Sequence, residues 1–291
     1  MDLCNRSVIK SLMDAAGIGF RKDLGQNFLV SPEIPRRLAE ECREDPNCLM
    51  LEIGPGIGCL TTHLADRFTH VVAIEIDKRL PPILEQTLAE HDNVTVVCAD
   101  VLRTDVPALL AETKERLGLP ADYPVAVCAN LPYYITTPIL MYLIESGVPF
   151  SSITVMVQSE VADRLVAGAG SAEYGAITAV LGYYGTCRRL FTVPAGCFVP
   201  QPKVHSAVVR LDLYPTSPYD VENEKLLFSV IKGAFEQRRK ILLNALSSAL
   251  SMSKESLTAA IEQAGLSPQI RGEKLSVEQF VTLSNILATV R

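Results

Sequence analysis

The feature that most constrains this chain is a regular alternation of short apolar segments with helical segments over residues 48–167. The apolar segments are rich in Val and Ile, and their length of five to seven residues is typical of buried strands. Strands that alternate with helices form a parallel sheet covered on both faces. The predicted strands are 48–53, 70–76, 94–99, 123–129 and 153–158, and the predicted helices are 59–67, 80–89 and 160–167.

The pattern changes after residue 183. Two extended segments, 183–193 and 204–213, flank a Pro-rich stretch and are expected to complete the sheet as an antiparallel pair. We predict an α/β domain over 1–213, with an N-terminal arm at 1–30, and a small all-helical domain over 214–291. The helices predicted from apolar residues at three- and four-residue steps are 226–235, 238–250, 254–264 and 277–289.

Charge and cysteine usage narrow the classes of function. The net charge of −6 requires that any nucleic-acid partner be bound by local basic patches. The eight cysteines form no C-x-x-C pair, so we expect free thiols in a reducing cytoplasm and no metal site. We also expect no exported or membrane-bound form, because charges interrupt the N-terminal apolar segment and no later apolar run is long enough to span a bilayer. The basic patches that could bind a nucleic acid are Arg21-Lys22, Arg188-Arg189 and Arg238-Arg239-Lys240.

A glycine-rich turn follows the first predicted strand. Its sequence, Glu52-Ile-Gly54-Pro-Gly56-Ile-Gly58, lets the backbone turn tightly and approach a ligand. It reads G-x-G-x-G rather than the dinucleotide fingerprint G-x-G-x-x-G, although this turn alone leaves an NAD enzyme possible. Glu75 ends the second strand, where a carboxylate can accept both hydroxyls of a ribose.

Asp100 and Val101 follow the third strand, and they distinguish an NAD site from a site for a second ribose-containing cofactor. In a site for S-adenosylmethionine (SAM), an acid here accepts the adenine amine while its apolar neighbour packs on the ring. A helix N-cap is the alternative role for Asp100. Because three polar turns follow three successive strands at one sheet edge, we predict a Rossmann-like sheet that binds SAM and needs no metal.

The fourth strand ends in the most informative motif, Asn130-Leu131-Pro132-Tyr133-Tyr134. An adenine N6 amine is a poor nucleophile because its lone pair is delocalised into the ring. The Asn130 side-chain oxygen and the Leu131 main-chain oxygen can hold this amine, Pro132 stiffens the turn, and Tyr133 offers a face for an extracted base. We predict methyl transfer by positioning and electrostatic preorganisation.

Further segments extend this pattern over nearly the whole chain. They are Lys22 with L-G-Q-N-F-L at 24–29, Leu60-Thr61 after the glycine turn, Asp77, Ile135, Gln158 with E-V-A-D-R-L at 160–165, Tyr174-Gly175, F-V-P-Q-P-K-V-H-S at 198–206, and F-E-Q-R-R-K at 235–240. Together with the motifs above, they resemble the small-subunit (16S) ribosomal RNA adenine N6-dimethyltransferases of the KsgA type.

The resemblance implies roles that the residues alone do not. Gln26, Asn27 and Leu29 would fold over SAM, and Phe198 would form an aromatic wall opposite Tyr133. Arg238–Lys240, at a predicted helix start, would contact RNA phosphates. The implied activity is dimethylation of two adjacent adenosines in the 3′-terminal hairpin of small-subunit rRNA during ribosome biogenesis, by a cytoplasmic and monomeric enzyme.

Four alternatives remain at this point. One is the sister class that methylates a single adenosine in large-subunit rRNA, although F-x-P-x-P and R-R-K favour the small-subunit class. A DNA adenine methyltransferase would usually carry Asp-Pro-Pro-Tyr where this chain has Asn-Leu-Pro-Tyr. The others are a non-catalytic assembly factor for immature small subunits and an NAD dehydrogenase.

Overall fold

The computed structural model describes residues 1–19 and 25–290, so Arg21, Lys22 and Leu24 lie outside the described residues. The strands found there are β1 (Phe28–Leu29), β2 (Leu49–Ile53), β3 (His70–Glu75), β4 (Val94–Cys98), β5 (Val125–Asn130), β6 (Phe150–Gln158), β7 (Gly185–Val193), β8 (Phe198–Val199) and β9 (Ser206–Leu213). The helices are α1 (Arg6–Ala15), α2 (Glu33–Glu41), α3 (Cys59–Arg67), α4 (Pro81–Thr87), α5 (Val106–Arg116), α6 (Thr136–Glu145), α7 (Ser159–Leu165), α8 (Ala176–Tyr184), α9 (Glu224–Glu236), α10 (Leu242–Leu250), α11 (Lys254–Gln263) and α12 (Val277–Val290).

Seven strands form one sheet in the order β4-β3-β2-β5-β6-β9-β7. Strands β2 to β6 are mutually parallel, while β9 runs antiparallel to β6. The order reverses between β2 and β5, which is where open α/β sheets bind ligands. The predicted α/β sheet is confirmed, and the carboxyl ends of β2, β3 and β5 share the edge that carries the polar turns.

The chain divides into two compact units. The sheet unit contains Met1–Ala162 and Arg188–Leu213, and the helical unit contains Asp163–Cys187 and Tyr214–Arg291. Residues 163–187, which the sequence analysis assigned to the first domain, therefore group with the C-terminal helices. Helix α8 accounts for this, because it packs on α9 and α12.

Two element boundaries were predicted wrongly. The segment at 183–193 was expected to be extended throughout, but Tyr183 and Tyr184 end α8, and β7 begins only at Gly185. The expected helix at 238–250 begins only at Leu242, because α9 ends at Glu236 and a turn follows. That turn is closed by a hydrogen bond from the Lys240 amide to the Gln237 carbonyl (2.8 Å).

The N-terminal arm contains a packed amphipathic helix that the sequence analysis did not predict. Asn5 caps α1 by accepting a hydrogen bond from the Ser7 amide. Ile9, Leu12 and Met13 are buried against a cluster that includes Phe28, Ile57 and Leu80. Helix α1 thus supports the glycine turn from outside the sheet.

Candidate cofactor and active site

The glycine turn between β2 and α3 adopts a backbone that L side chains rarely reach. Gly54, Gly56 and Gly58 have φ values of 72°, 62° and 91°. A Cβ added at Gly56 would lie 3.1 Å from the Phe28 ring, so this position also needs the space that glycine leaves. The motif therefore places bare backbone at the wall of a cavity, as predicted for a ligand-approach turn.

The cavity lies at the carboxyl edge of the sheet and brings together most of the predicted cofactor and catalytic residues. Gln26, Asn27, Leu29, Gly54, Gly56, Glu75, Asn130, Leu131, Pro132 and Tyr133 all line it. Segments 25–29, 52–60, 75–80 and 130–133 supply its walls, so residues far apart in sequence meet at this edge.

Glu75 is buried and holds the turn in shape. Its Oε2 accepts a hydrogen bond from the Gly56 amide (3.1 Å), and its Oε1 accepts one from the Asp77 amide (2.8 Å). Burial raises the pKa of Glu75, and these two amide bonds oppose the rise. Each carboxylate oxygen keeps a second lone pair, so Glu75 can also accept ligand hydroxyls.

Asp77 connects the segment 25–29 to the end of β3. It accepts a hydrogen bond from the Gln26 side chain (2.9 Å), and Arg79 donates to both of its oxygens (2.8 and 2.7 Å). The Arg79 guanidinium lowers the pKa of Asp77 to about 2, so this carboxylate is ionised at neutral pH. Asp77 entered the sequence analysis only through the family resemblance, although its position two residues after Glu75 was a usable signal.

Glu52 is a buried cavity residue that the sequence analysis did not single out. This strand residue lines the cavity, is 1% exposed, and its Oε2 has no hydrogen-bond partner among the described residues. Burial raises its pKa to about 8, with the nearby Glu75 adding to the rise. A buried carboxyl oxygen that has no hydrogen-bond partner marks a position where a polar ligand group can be bound.

The catalytic turn follows β5. The Asn130 side-chain NH2 group donates to the Asn27 carbonyl (3.4 Å). The side-chain oxygen of Asn130 is an acceptor. The turn is closed by the Ile135 amide and the Thr136 hydroxyl, both of which donate to the Pro132 carbonyl (3.2 and 3.3 Å). The segment therefore holds Asn130 beside the chain that covers the cavity.

Tyr133 is fixed by a partner that sequence reasoning did not identify. Its hydroxyl lies 2.7 Å from the Ser206 hydroxyl at the start of β9. Burial raises the pKa of Tyr133, so the phenol stays neutral. Tyr134, in contrast, is 60% exposed, so the two tyrosines of the motif have different environments.

Three of the residues predicted to contact the cofactor or the base lie outside the cavity lining. Phe198 is 1% exposed in the hydrophobic core and pairs with Leu29 across the β1–β8 ladder. Asp100 caps the short 3-10 turn Val101–Arg103 by accepting from the Leu102 amide (3.0 Å), which is the N-cap alternative, and Val101 is buried. The roles of these residues against the base and the cofactor stay predictions.

The basic cluster of the helical unit lies in the turn between α9 and α10 and not at a helix start. Arg238 donates to the carbonyls of Ala172 (2.8 Å) and Tyr174 (2.9 Å) and lies 3.8 Å from the Glu273 carboxylate. Its guanidinium is thus engaged within the unit, while Arg239 and Lys240 are exposed.

Two searches of the described residues bear on other classes of function. Over 1–19 and 25–290, His, Cys, Asp and Glu side chains form no group of three or more that could hold a metal ion. Over the same ranges, every helix is too short or too polar to cross a bilayer.

The sequence matches the family described as "Ribosomal RNA adenine dimethylase" over residues 17–289. It is 45% identical to "Ribosomal RNA small subunit methyltransferase A" of Streptococcus pneumoniae (strain P1031), over 99% of this chain and 98% of that protein. It is 46% identical to a protein of the same name from Lachnoclostridium phytofermentans, over 92% and 91% of the two chains.

Solved structures share the fold. The crystal structure of 23S rRNA methyltransferase ErmE aligns with a TM-score of 0.67 at 26% identity, over 90% of this chain and 99% of that one. A dimethyladenosine transferase from Plasmodium falciparum aligns with a TM-score of 0.70 at 22% identity, over 88% and 95% of the two chains.

Proposed function

The chain belongs to the ribosomal RNA adenine dimethylase family, and we propose that it dimethylates N6 of two adjacent adenosines in the 3′-terminal hairpin of 16S rRNA, with SAM as methyl donor. The observation that carries this proposal is the meeting of Asn130–Tyr133 with the glycine turn in one cavity. Identity of 45% to small-subunit enzymes, against 26% to the large-subunit enzyme ErmE, favours the small subunit as substrate.

The cavity fits the polar groups of SAM. The bare backbone at Gly54 and Gly56 suits close approach by a ligand, Glu75 can accept ribose hydroxyls, and the unpartnered Glu52 oxygen can bind a polar group. Ile76, which is 46% exposed in the cavity wall, offers apolar surface to a purine ring. When bound, SAM supplies an electrophilic methyl group on a sulfonium.

The protein residues then position the amine. The oxygens of Asn130 and Leu131 accept the N6 hydrogens and direct the nitrogen lone pair away from the ring plane. Pro132 has no amide hydrogen to compete for these acceptors, and Tyr133 presents a ring held by Ser206. With the amine held in this way, we expect most of the rate enhancement to come from orientation and preorganised dipoles.

Dimethylation requires that the monomethyl amine still fit. After the first transfer only one N6 hydrogen remains, so only one of the two acceptors can be engaged. The turn therefore has to bind the amine through either acceptor while leaving room for a methyl group.

We further propose a division of labour between the two units. The sheet unit would carry out catalysis, and the helical unit would contact RNA phosphates through Arg239 and Lys240, with Arg238 shaping their turn. A cytoplasmic, monomeric enzyme that acts on the small subunit during ribosome assembly fits this arrangement.

The decisive experiment incubates the purified protein and SAM with 30S particles that lack the modification, and in parallel with protein-free large-subunit rRNA. Mass spectrometry of the 3′ hairpin should show a gain of four methyl groups on two adjacent adenosines. Methylation confined to the large-subunit RNA would support the sister class, and RNA binding without methylation would support a pure assembly factor.

A further inference from the structure

Two cysteine thiols meet beside the cofactor cavity. The Cys4 and Cys59 sulfurs lie 3.0 Å apart, although 54 residues separate them in sequence. A disulfide bond is about 2.05 Å long, so closing this pair requires a movement of roughly 1 Å. Both cysteines are reduced in the structure.

The two thiols lie in different elements, Cys59 in the cavity wall and Cys4 next to the N-terminal helix. Cys59 begins α3 directly after the glycine turn and lines the cavity. Cys4 is buried immediately before α1, whose apolar face packs with Phe28 and Ile57. A bond between them would join the N-terminal helix to the start of α3.

We propose that Cys4 and Cys59 form an oxidisable pair that closes to an intramolecular disulfide and fixes α1 against the glycine turn. Cys4 lies before the family match, which begins at residue 17, whereas Cys59 lies within it. Both thiols are free, as the sequence analysis predicted, and the proposal adds that they can be oxidised to a disulfide.

The chemistry is thiol–disulfide exchange with a low-molecular-weight disulfide such as oxidised glutathione. The hydrogen bond from the Cys59 thiol lowers the pKa of Cys4, so Cys4 loses its proton first and attacks one sulfur of the oxidant, whose S–S bond breaks and releases one small thiolate. Cys59 then loses its proton and attacks the Cys4 sulfur, which releases the second thiolate. The two thiolates take up the two protons, so two protein thiols are oxidised and one small disulfide is reduced.

The other thiols provide the controls. Cys98 is exposed and is the first that an oxidant in solution should meet. Cys42, Cys48 and Cys128 are buried in the core, where burial raises the pKa of Cys48 to about 12 and suppresses its reactive thiolate. Selective oxidation of Cys4 and Cys59 would therefore reflect their proximity.

The test treats the full chain with oxidised glutathione and measures its mass. We expect a loss of two hydrogens that is reversed by dithiothreitol. Cleavage by trypsin and by a protease specific for glutamate separates Cys48 from Cys59 at Glu52, so the product should be residues 1–6 joined to residues 53–67. Cys4→Ser and Cys59→Ser should each abolish the linked peptide, and Cys98→Ser should retain it.

Two further measurements test whether the disulfide restrains α1. The oxidised protein should melt roughly 5–10 °C higher than the reduced protein, and amide hydrogen exchange in α1 should slow. The proposal is overturned if the bond joins other cysteines, or if Cys4 and Cys59 stay reduced while Cys98 takes up glutathione. An unchanged exchange rate in α1 after the bond has formed would refute the restraint.

Discussion

At the residue scale, the most unusual side chain is that of Glu52, which places a carboxyl group in a fully buried strand just before the glycine turn. Glu52 is the fourth residue of β2, and all five residues of that strand are buried. A buried carboxyl group costs more free energy at such a position than an apolar side chain would. Its place in the cavity wall suggests that a bound ligand offsets this cost.

The titration of Glu52 can be tested through stability. Its pKa of about 8 in the folded protein exceeds the ordinary value of 4.5, so the folded state holds a proton that the unfolded state releases. This stabilisation is complete below pH 4.5 and is lost as the pH rises through 8, by an amount on the order of 4 kcal/mol.

Glu52→Gln should therefore lack much of the decline in unfolding free energy that the native protein shows between pH 5 and pH 9, as measured by urea denaturation. Glu112→Gln, which removes an exposed carboxylate from α5, should follow the native profile. Parallel profiles for Glu52→Gln and the native protein would mean that Glu52 is ionised throughout.

Asn130→Ala tests the amine-holding acceptor. We expect the rate of methyl transfer to fall by a factor on the order of 10²–10³, because one of the two preorganised acceptors is lost. RNA binding and melting temperature should change little, since Asn130 makes only a long (3.4 Å) bond to the Asn27 carbonyl. Single-turnover methylation and filter binding measure the two effects, and full activity would contradict the assignment.

The sequence predicted the identity of the site residues better than their partners. Glu75 and Asn130 were predicted from their residue types and strand-end positions, and both line the cavity, whereas Gln26 was predicted only through the family resemblance. The contact between Tyr133 and Ser206 could not be predicted from the sequence, because 72 residues separate the two and only the fold brings β9 beside the turn. Phe198 was predicted to face the base only through the family resemblance, and the structure buries it in the core beside the β1–β8 ladder.

At the element scale, the glycine turn determines whether the cavity can exist. Gly56 combines a left-handed backbone with close contact to Phe28, and these two demands can be separated by experiment. Gly118 has nearly the same φ (66° against 62°), but nothing lies within 4 Å of its added Cβ. The two positions form a matched pair.

Gly56→Ala and Gly118→Ala should both lose about 1–2 kcal/mol of stability from backbone strain. Only Gly56→Ala should also weaken SAM binding, by at least about tenfold, because the Phe28 ring must move toward the cavity wall. Calorimetric titration with SAM measures the affinity. Equal affinities for the two variants would show that Phe28 adapts without cost.

Element prediction succeeded where periodicity was strong and failed at boundaries set by tertiary contacts. Helix α3 was predicted with its observed bounds because a glycine begins it and the apolar spacing is regular. The false helix start at residue 238 arose because R-R-K-I-L-L continues a helical pattern. Tertiary contacts override that pattern, since the Leu242 amide donates to the Ile270 carbonyl and Arg238 binds two carbonyls in the same unit.

For the whole molecule, the net charge of −6 limits how RNA can be bound. A protein that binds RNA through few phosphates shows a shallow dependence of affinity on salt. Arg239→Ala and Lys240→Ala should each lower the slope of log affinity against log salt by about one, measured by filter binding over 50–300 mM salt.

Arg238→Ala should act differently, because its guanidinium is bonded to the Ala172 and Tyr174 carbonyls. We expect it to lower the melting temperature of the protein and to change the salt slope less than its two neighbours do. Lys254→Ala, at an exposed position on α11, serves as the control. Equal slopes for all four variants would place the RNA contacts elsewhere.

The two-residue ladder between β1 and β8 has a consequence for the order of events on the enzyme. It pairs Phe28 with Val199 and Leu29 with Phe198, and so links segment 25–29 of the cavity wall to the F-V-P-Q-P segment. A ligand that orders one of these strands also partly orders the strand paired with it. The second ligand then loses less conformational entropy when it binds. Binding of the methyl donor and of RNA should thus be mutually reinforcing, and by thermodynamic reciprocity each should tighten the other by the same factor.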